Sequence, residues 1–140
     1  MILEKKGWYR LELPDGWTSE EDDGALAIAH PDGAGVLQMS VQDPPVPAGQ
    51  RVDAYLMLRA FLNQSGVDFE LAEPRRWSAQ GLDWAACEYE TEEDGETVLW
   101  RAWMASDGDL VAFFTYGCPE EARDAERATV DAILGSLVLG

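Results

Sequence analysis

The sequence predicts an α+β fold: a single antiparallel sheet of about six strands flanked by helices, with a long C-terminal helix closing the chain. Three observations carry this. Leu82–Glu90, Thr97–Ala105 and Leu110–Tyr116 are consecutive apolar and aromatic runs separated by Glu92-Glu93-Asp94-Gly95 and Ser106-Asp107-Gly108-Asp109. Asp-Gly between such runs is a strong hairpin signal, because glycine takes positive φ at little steric cost. After Pro119, residues Ala122, Ala125, Thr129, Ile133 and Leu137 recur at helical spacing, with Val130 and Ala132 widening the stripe. Between Arg51 and Gln64, Tyr55, Leu58 and Leu62 repeat in the same way, and Ala54 and Phe61 broaden that face.

The remaining elements follow in chain order. Trp8–Leu13 alternates and reads as a strand, with Tyr9, Leu11 and Leu13 on one side. Pro14-Asp15-Gly16 turns the chain so that Trp17 folds back over the sheet, and the acidic stretch Thr18–Gly24 reads as a solvated loop. Ala25–His30 is the second strand, His30-Pro31-Asp32-Gly33 a turn, and Gly35–Gln42 the third strand. Three prolines exclude Asp43–Gly49 from a central strand and make it a stiff connection into the first helix, which Ser65-Gly66 ends. Phe69–Leu71 reads as a short strand or bridge, and Arg75–Ala79 as a strand turned by Gln80-Gly81 into Leu82. In the terminal helix, Pro119 suits the first position, Glu120 and Glu121 suit the positive end of the dipole, and Gly135 suits a C′ glycine.

At 140 residues and 46% hydrophobic content the chain reads as one domain spanning residues 1–140. Its two cysteines make no disulfide framework. If the strands pair in order, Cys87 and Cys118 stand two strand spacings apart, roughly 10 Å, beyond bridging distance. The opening residues Met1–Lys6 hold no apolar run of signal-peptide length, and no stretch reaches the length of a membrane span, so a cytoplasmic protein without membrane insertion is expected. The net charge is −17, from 27 acidic against 10 basic side chains. Such a surface repels the phosphates of nucleic acid and anionic membranes, and three readings of it stand: solubility alone, adaptation to high salt, or attraction of a basic protein partner.

Catalytic chemistry finds little support. His30 is the single histidine and sits in a Pro-Asp-Gly turn, and neither cysteine has neighbouring bases or a CxxC spacing to activate it. One histidine and two separated thiols do not make a zinc site. Two acidic stretches, Glu20–Asp23 and Glu92–Glu96, offer oxygen donors for calcium, but consecutive acids point to different sides and neither matches an EF-hand loop. No catalytic, cofactor-binding or metal residues are assigned, and no cofactor is expected. The aromatic side chains are the remaining candidates. Trp100 and Trp103 point to opposite sheet faces and are both core if both faces are covered. If one face is only partly covered, Trp103 with Arg101 on the same strand face, extended by Arg75, Arg76 and Trp77 on a neighbouring strand, form the expected protein-interaction patch, since tryptophan and arginine are enriched at interface hot spots.

The opening strand with Leu13-Pro14-Asp15-Gly16-Trp17, the Gly81-Leu82 turn into the strand meander, and the terminal Ile133-Leu134-Gly135-Ser136-Leu137 resemble the Mog/PsbP-like α/β/α superfamily. That superfamily includes a Ran-binding nuclear transport factor, an extrinsic photosystem II subunit and many bacterial domains. The resemblance implies an antiparallel sheet with helices packed on it, in a protein that binds or assembles with others. It transfers no catalytic residue. The expectation is therefore a non-enzymatic interaction or adaptor module, such as a chaperone or immunity-type partner of a basic protein. The alternative is a domain binding a small ligand or a divalent cation such as calcium. A cavity lined with Trp and Tyr would favour the ligand class, and a flat aromatic patch the protein class.

Overall fold

The computed structural model describes residues 1–67 and 73–140. Ten strands and two helices follow one another as β1 (Ile2–Lys5), β2 (Tyr9–Glu12), β3 (Thr18–Asp22), β4 (Ala25–Ala29), β5 (Val36–Gln42), α1 (Ala54–Gln64), β6 (Arg75–Ala79), β7 (Leu82–Glu93), β8 (Glu96–Ser106), β9 (Val111–Pro119), α2 (Arg127–Gly135) and β10 (Val138–Leu139). A 3₁₀ turn at Glu120–Ala122 separates β9 from α2. The strands form a seven-stranded sheet in the order β3-β4-β5-β9-β8-β7-β6 and a three-stranded sheet in the order β1-β2-β10. Every pairing is antiparallel.

The fold class expected from the sequence is present as an α+β arrangement with two helices, but a single six-stranded sheet is not. Three strands account for the difference. The Thr18–Gly24 stretch is not a loop, because β3 pairs with β4 from Thr18↔Ala29 to Asp22↔Ala25. Its turn, Asp23-Gly24, takes φ of 51° and 82°, both positive as a two-residue hairpin demands. The first residues form β1, which pairs with β2, and the last residues form β10 on the other side of β2. The expected strand or bridge at Phe69–Leu71 lies outside the described residues.

The C-terminal helix is shorter than its apolar stripe suggested. Pro119 ends β9 and α2 begins only at Arg127. Its buried residues are Val130, Ile133 and Leu134, followed by Leu137, whereas Ala125 is exposed. Gly135 is the last helical residue and not a positive-φ C′ glycine, since Ser136 caps the helix with φ of −92°. Helix α1 ends at Gln64 as read but begins at Ala54, three residues after Arg51. Asp53 caps its start by accepting from the Leu56 N–H at 3.1 Å. At its end, the N–H groups of Gly66 and Val67 donate to the carbonyls of Asn63 and Leu62, a Schellman closure.

Helix α1 and the α2–β2 layer cover opposite faces of the large sheet, so two cores form. Leu58, Leu62, Ala85, Cys87, Ala102, Met104 and Val111 pack on the α1 side. Leu11, Leu13, Trp17, Leu37, Trp84, Leu99, Trp103, Phe114 and Tyr116 pack on the other side with Val130, Ile133, Leu134 and Leu137. Cys87 and Cys118 fall in different cores with β8 between their strands, a geometry no disulfide spans. One carboxylate ties the second core shut. Glu126 Oε1 accepts from the Ala34 and Gly35 N–H groups, each at 3.0 Å, and from the Tyr116 hydroxyl at 2.7 Å. Burial first, and the Glu126 hydrogen bond second, raise the Tyr116 hydroxyl well above its ordinary range. Gly117 is required where it stands, because an added Cβ would lie 2.7 Å from the Trp100 ring.

Two outcomes follow from this packing. In denaturant melts, Ile133→Ala should lose about 2–5 kcal/mol through transfer and cavity terms, while Ala125→Ser, at an exposed site, should change stability by under about 0.5 kcal/mol. Equal small effects at both sites would contradict this placement of α2. Second, burial pushes the Cys87 thiol up from 9.0 to about 12, with Glu88 adding to the rise and Arg75 opposing it. Above pH 9.0 the unfolded chain gives up a proton that the folded chain keeps, so unfolding releases protons. The stabilisation is complete below pH 9.0 and is lost as pH rises toward about 12. Melting temperature should fall across that window, and less steeply in Cys87→Ala. Equal slopes for the two proteins would remove the thiol from the explanation.

Candidate functional site at the tryptophan–arginine edge

Strand β6 ends the large sheet, so among the described residues one of its two edges pairs with no strand. Its alternation decides what each face receives. In the register Arg75↔Ala86, Trp77↔Trp84 and Ala79↔Leu82, the odd residues share the side of the second core. Arg76↔Ala85 faces the α1 side. On β8, Trp103 lies opposite Ala86, and Arg101 opposite Glu88. Arg75, Trp77, Arg101 and Trp103 therefore stand on one face around the small side chain of Ala86, and Arg76 stands on the other.

These four residues line a common cleft of about 320 Å³, with Trp84, Gln80 and the C-terminal half of α2 as further walls. Trp77 and Trp84 are stacked, ring centroids 5.9 Å apart and planes 5° from parallel. The Trp84 indole N–H donates to the Ala79 carbonyl at 3.3 Å, which fixes that ring at the turn. Gln80 holds α2 over the cleft by donating to the carbonyls of Leu134, Gly135 and Leu137 at the helix end. It occupies the first turn position with φ of 59°, a conformation stabilised here by these bonds and the following Gly81.

Exposure separates the expected patch into two parts. Trp103 is 4% exposed and Arg101 6%, so they form the floor beneath α2 and present no open surface. Trp77 is 40% exposed and forms the rim. Arg101 is held by Asp131 at 2.6 Å and Glu88 at 3.4 Å, and its guanidinium lies 4.5 Å from the Trp103 ring centre. Its Nη1 is buried with no hydrogen-bond partner. Glu88 also receives Arg127, whose pKa that hydrogen bond raises. Arg75 stands 5.9 Å over the Trp77 ring. Arg76 lies 4.7 Å over the Tyr55 ring, in a second cleft on the α1 side. Sequence reading did not single out Trp84, Gln80 or Asp131. The Trp77↔Trp84 pairing across Gln80-Gly81 was the available signal for the first two.

The other candidates lie apart from this edge. His30 Nδ1 accepts the Asp32 N–H at 3.0 Å, and its ring meets Trp17 edge-on at 6.3 Å. Among the described residues, no three His, Cys, Asp or Glu side chains gather as a metal-binding group. Glu20 and Glu21 sit on β3 and Glu92 and Glu93 on β7, where neighbours alternate between opposite faces. Among the described residues no helix is long and apolar enough to cross a membrane.

No known family model matches the sequence, and no curated protein is similar to it. Solved structures are. A protein from Bacteroides thetaiotaomicron superposes with a TM-score of 0.67 at 20% identity over 95% of this chain, which spans 45% of that protein. LpqN of Mycobacterium tuberculosis, described as involved in cell envelope biogenesis, superposes with a TM-score of 0.62 at 12% identity over 99% of this chain and 89% of its own. A cyanobacterial PsbP from Synechocystis is more distant, with a TM-score of 0.49 at 13% identity over 98% of this chain and 89% of its own. At these identities the first two likenesses establish a shared α+β fold and nothing further.

Proposed function

We propose that this protein is a non-enzymatic interaction module for another protein, and that contact is made along the free edge of β6 around Trp77. The observation that carries the reading is the exposure of Trp77 at 40%, on a terminal strand, over a rigid base of Trp84 and Trp103. A half-open tryptophan backed by a packed core is the form that interface anchors take, because it offers large area with little conformational entropy to lose. The unpaired edge supplies main-chain donors and acceptors to an extended segment of the partner, in the manner of strand addition.

Charge supports a basic partner. The acids on β3, on the β7–β8 hairpin and in the Glu120–Ala122 turn spread a field that carries beyond contact range, and a basic protein is accelerated toward it. At the edge itself Arg75 and Arg76 keep the local surface from being acidic, so the contact there is main chain and indole, while steering comes from farther off. Such a division suits a chaperone or immunity-type partner, which must meet its target quickly and hold it by shape.

The test is capture from native lysate at low salt with the wild-type protein and Trp77→Asp side by side. One basic protein should be enriched on the wild type and missing from the variant. The purified pair should associate about tenfold or more slowly as salt shortens the screening length from roughly 10 Å to 3 Å. Capture that survives Trp77→Asp, or an association rate indifferent to salt, would sink the proposal.

A further inference from the structure

The cleft behind Trp77 has features that partner binding at the strand edge does not need. Three indole rings, from Trp77, Trp84 and Trp103, border a space of about 320 Å³. That is the lower end of small-molecule sites, roughly 300–1,000 Å³, and enough for a one- or two-ring compound. Ala86 lies in register between Arg75 and Trp103, and its methyl group leaves the space that a larger residue would fill.

The charge of the lining runs against the composition of the chain. Acids outnumber bases 27 to 10 overall, yet among the described residues the cleft is lined by Arg75 and Arg101 with Asp131 as the single acid. Asp131 is already engaged by Arg101. Elsewhere three arginines are paired with acids: Arg10 with Glu12, Arg123 with Glu90, and Arg127 with Glu88 and Asp124. Arg75 makes no ion pair among the described residues and rests over the Trp77 ring. Beneath it, Arg101 has one guanidinium nitrogen buried and unpartnered. In a chain so rich in carboxylates, a guanidinium free of them at the mouth of an aromatic cleft is positioned for a carboxylate from outside.

We propose that this cleft binds a small aromatic carboxylate, its ring against the indoles of Trp77, Trp84 and Trp103 and its carboxylate on the Arg75 guanidinium. Arg75 makes the forked contact that a planar carboxylate fits, while Arg101, already paired with Glu88 and Asp131, adds no free charge of its own. A cationic aromatic compound would face the Arg75 guanidinium. A phosphate or nucleotide would bring multiple negative charges to a protein of net charge −17, and the single charge of a carboxylate meets the least of that repulsion.

Calorimetric titration of the purified protein with naphthoate and with naphthamide separates the contributions, because the two share a ring and differ in charge. Naphthoate should bind with one site per chain and shift the indole N–H resonances of Trp77, Trp84 and Trp103. Naphthamide should bind at least about tenfold more weakly. Arg75→Gln should weaken naphthoate about tenfold and leave naphthamide unchanged, and Trp77→Ala should weaken both. Arg75 is exposed, so Arg75→Gln should keep the wild-type melting temperature, while Trp77→Ala, which loses the stack on Trp84, should keep the far-ultraviolet circular dichroism with a lower melting temperature. No binding of naphthoate, equal binding of the amide, or indifference to Arg75→Gln overturns the proposal. The titration contains no protein partner, so it stands or falls separately from the reading of the β6 edge.

Discussion

Strand β8 is covered on both faces, and that single constraint organises the molecule. A strand with one solvated face can place polar residues there at no cost, but β8 buries both of its alternating sets. Ala102 and Met104 go under α1, and Leu99, Trp103 and Ala105 go under α2. Arg101 belongs to the second set and is 6% exposed, so its charge has to be met inside. Glu88 on β7 and Asp131 on α2 meet it. A buried cation of this kind stabilises little on balance, because desolvation offsets most of the attraction. What it fixes is placement: α2 must put Asp131 over β8, which lays the helix end beside Trp84 and Trp103 and so defines the cleft.

The chain ends finish the same layer. Residue Ser136, just past α2, accepts the Glu12 N–H at 2.8 Å, and β10 then pairs with β2. Across the layer, Glu126 at the start of α2 gathers the Ala34–Gly35 loop and Tyr116. A helix of nine residues is too short to be stable through its own hydrogen bonds. Its two ends are instead held by side-chain and strand contacts from distant parts of the chain, and its apolar face supplies the rest.

What could be read from sequence divides along physical lines. The β7–β8–β9 meander, the β6 boundaries and the C-terminal end of α1 were legible because alternation, Asp-Gly turns and helix-stop signals all act within a few residues. The acidic β3 was not, since Thr18–Asp22 has no apolar face; its neighbour Asp23-Gly24 was the hairpin signal that composition concealed. β10 depends on long-range pairing with β2, which no local pattern announces, whereas β1 is one arm of a local hairpin with β2, Lys5 opposite Tyr9 across a turn at Gly7 with φ of 84°, a signal the reading passed over. The stripe Ala122–Leu137 overstated α2 because alanine and threonine at helical spacing fit a turn and an exposed segment equally well. At the site, alternation correctly set Arg101 beside Trp103, whereas their burial depended on where α2 crosses. Arg76 was grouped with Arg75 although neighbours on a strand face opposite ways.

The acidity of the chain and the arginines of its β6 edge act over different lengths, and so they do not conflict. At physiological ionic strength the field of a surface charge decays over about 8 Å. The scattered acids therefore sum into a broad attraction for cations, felt before contact. A group within hydrogen-bond distance of Arg75 senses chiefly that guanidinium and its aromatic support, because close pairs are screened far less. The proposed attraction of a basic protein and the proposed anion site are therefore compatible on one surface, the one carboxylate among the cleft's described lining residues, Asp131, being engaged by Arg101. The fold sets that arrangement. Trp77, Trp84 and Trp103 occupy the positions around Arg75, and Arg101 takes up Asp131, the one acid that α2 brings near.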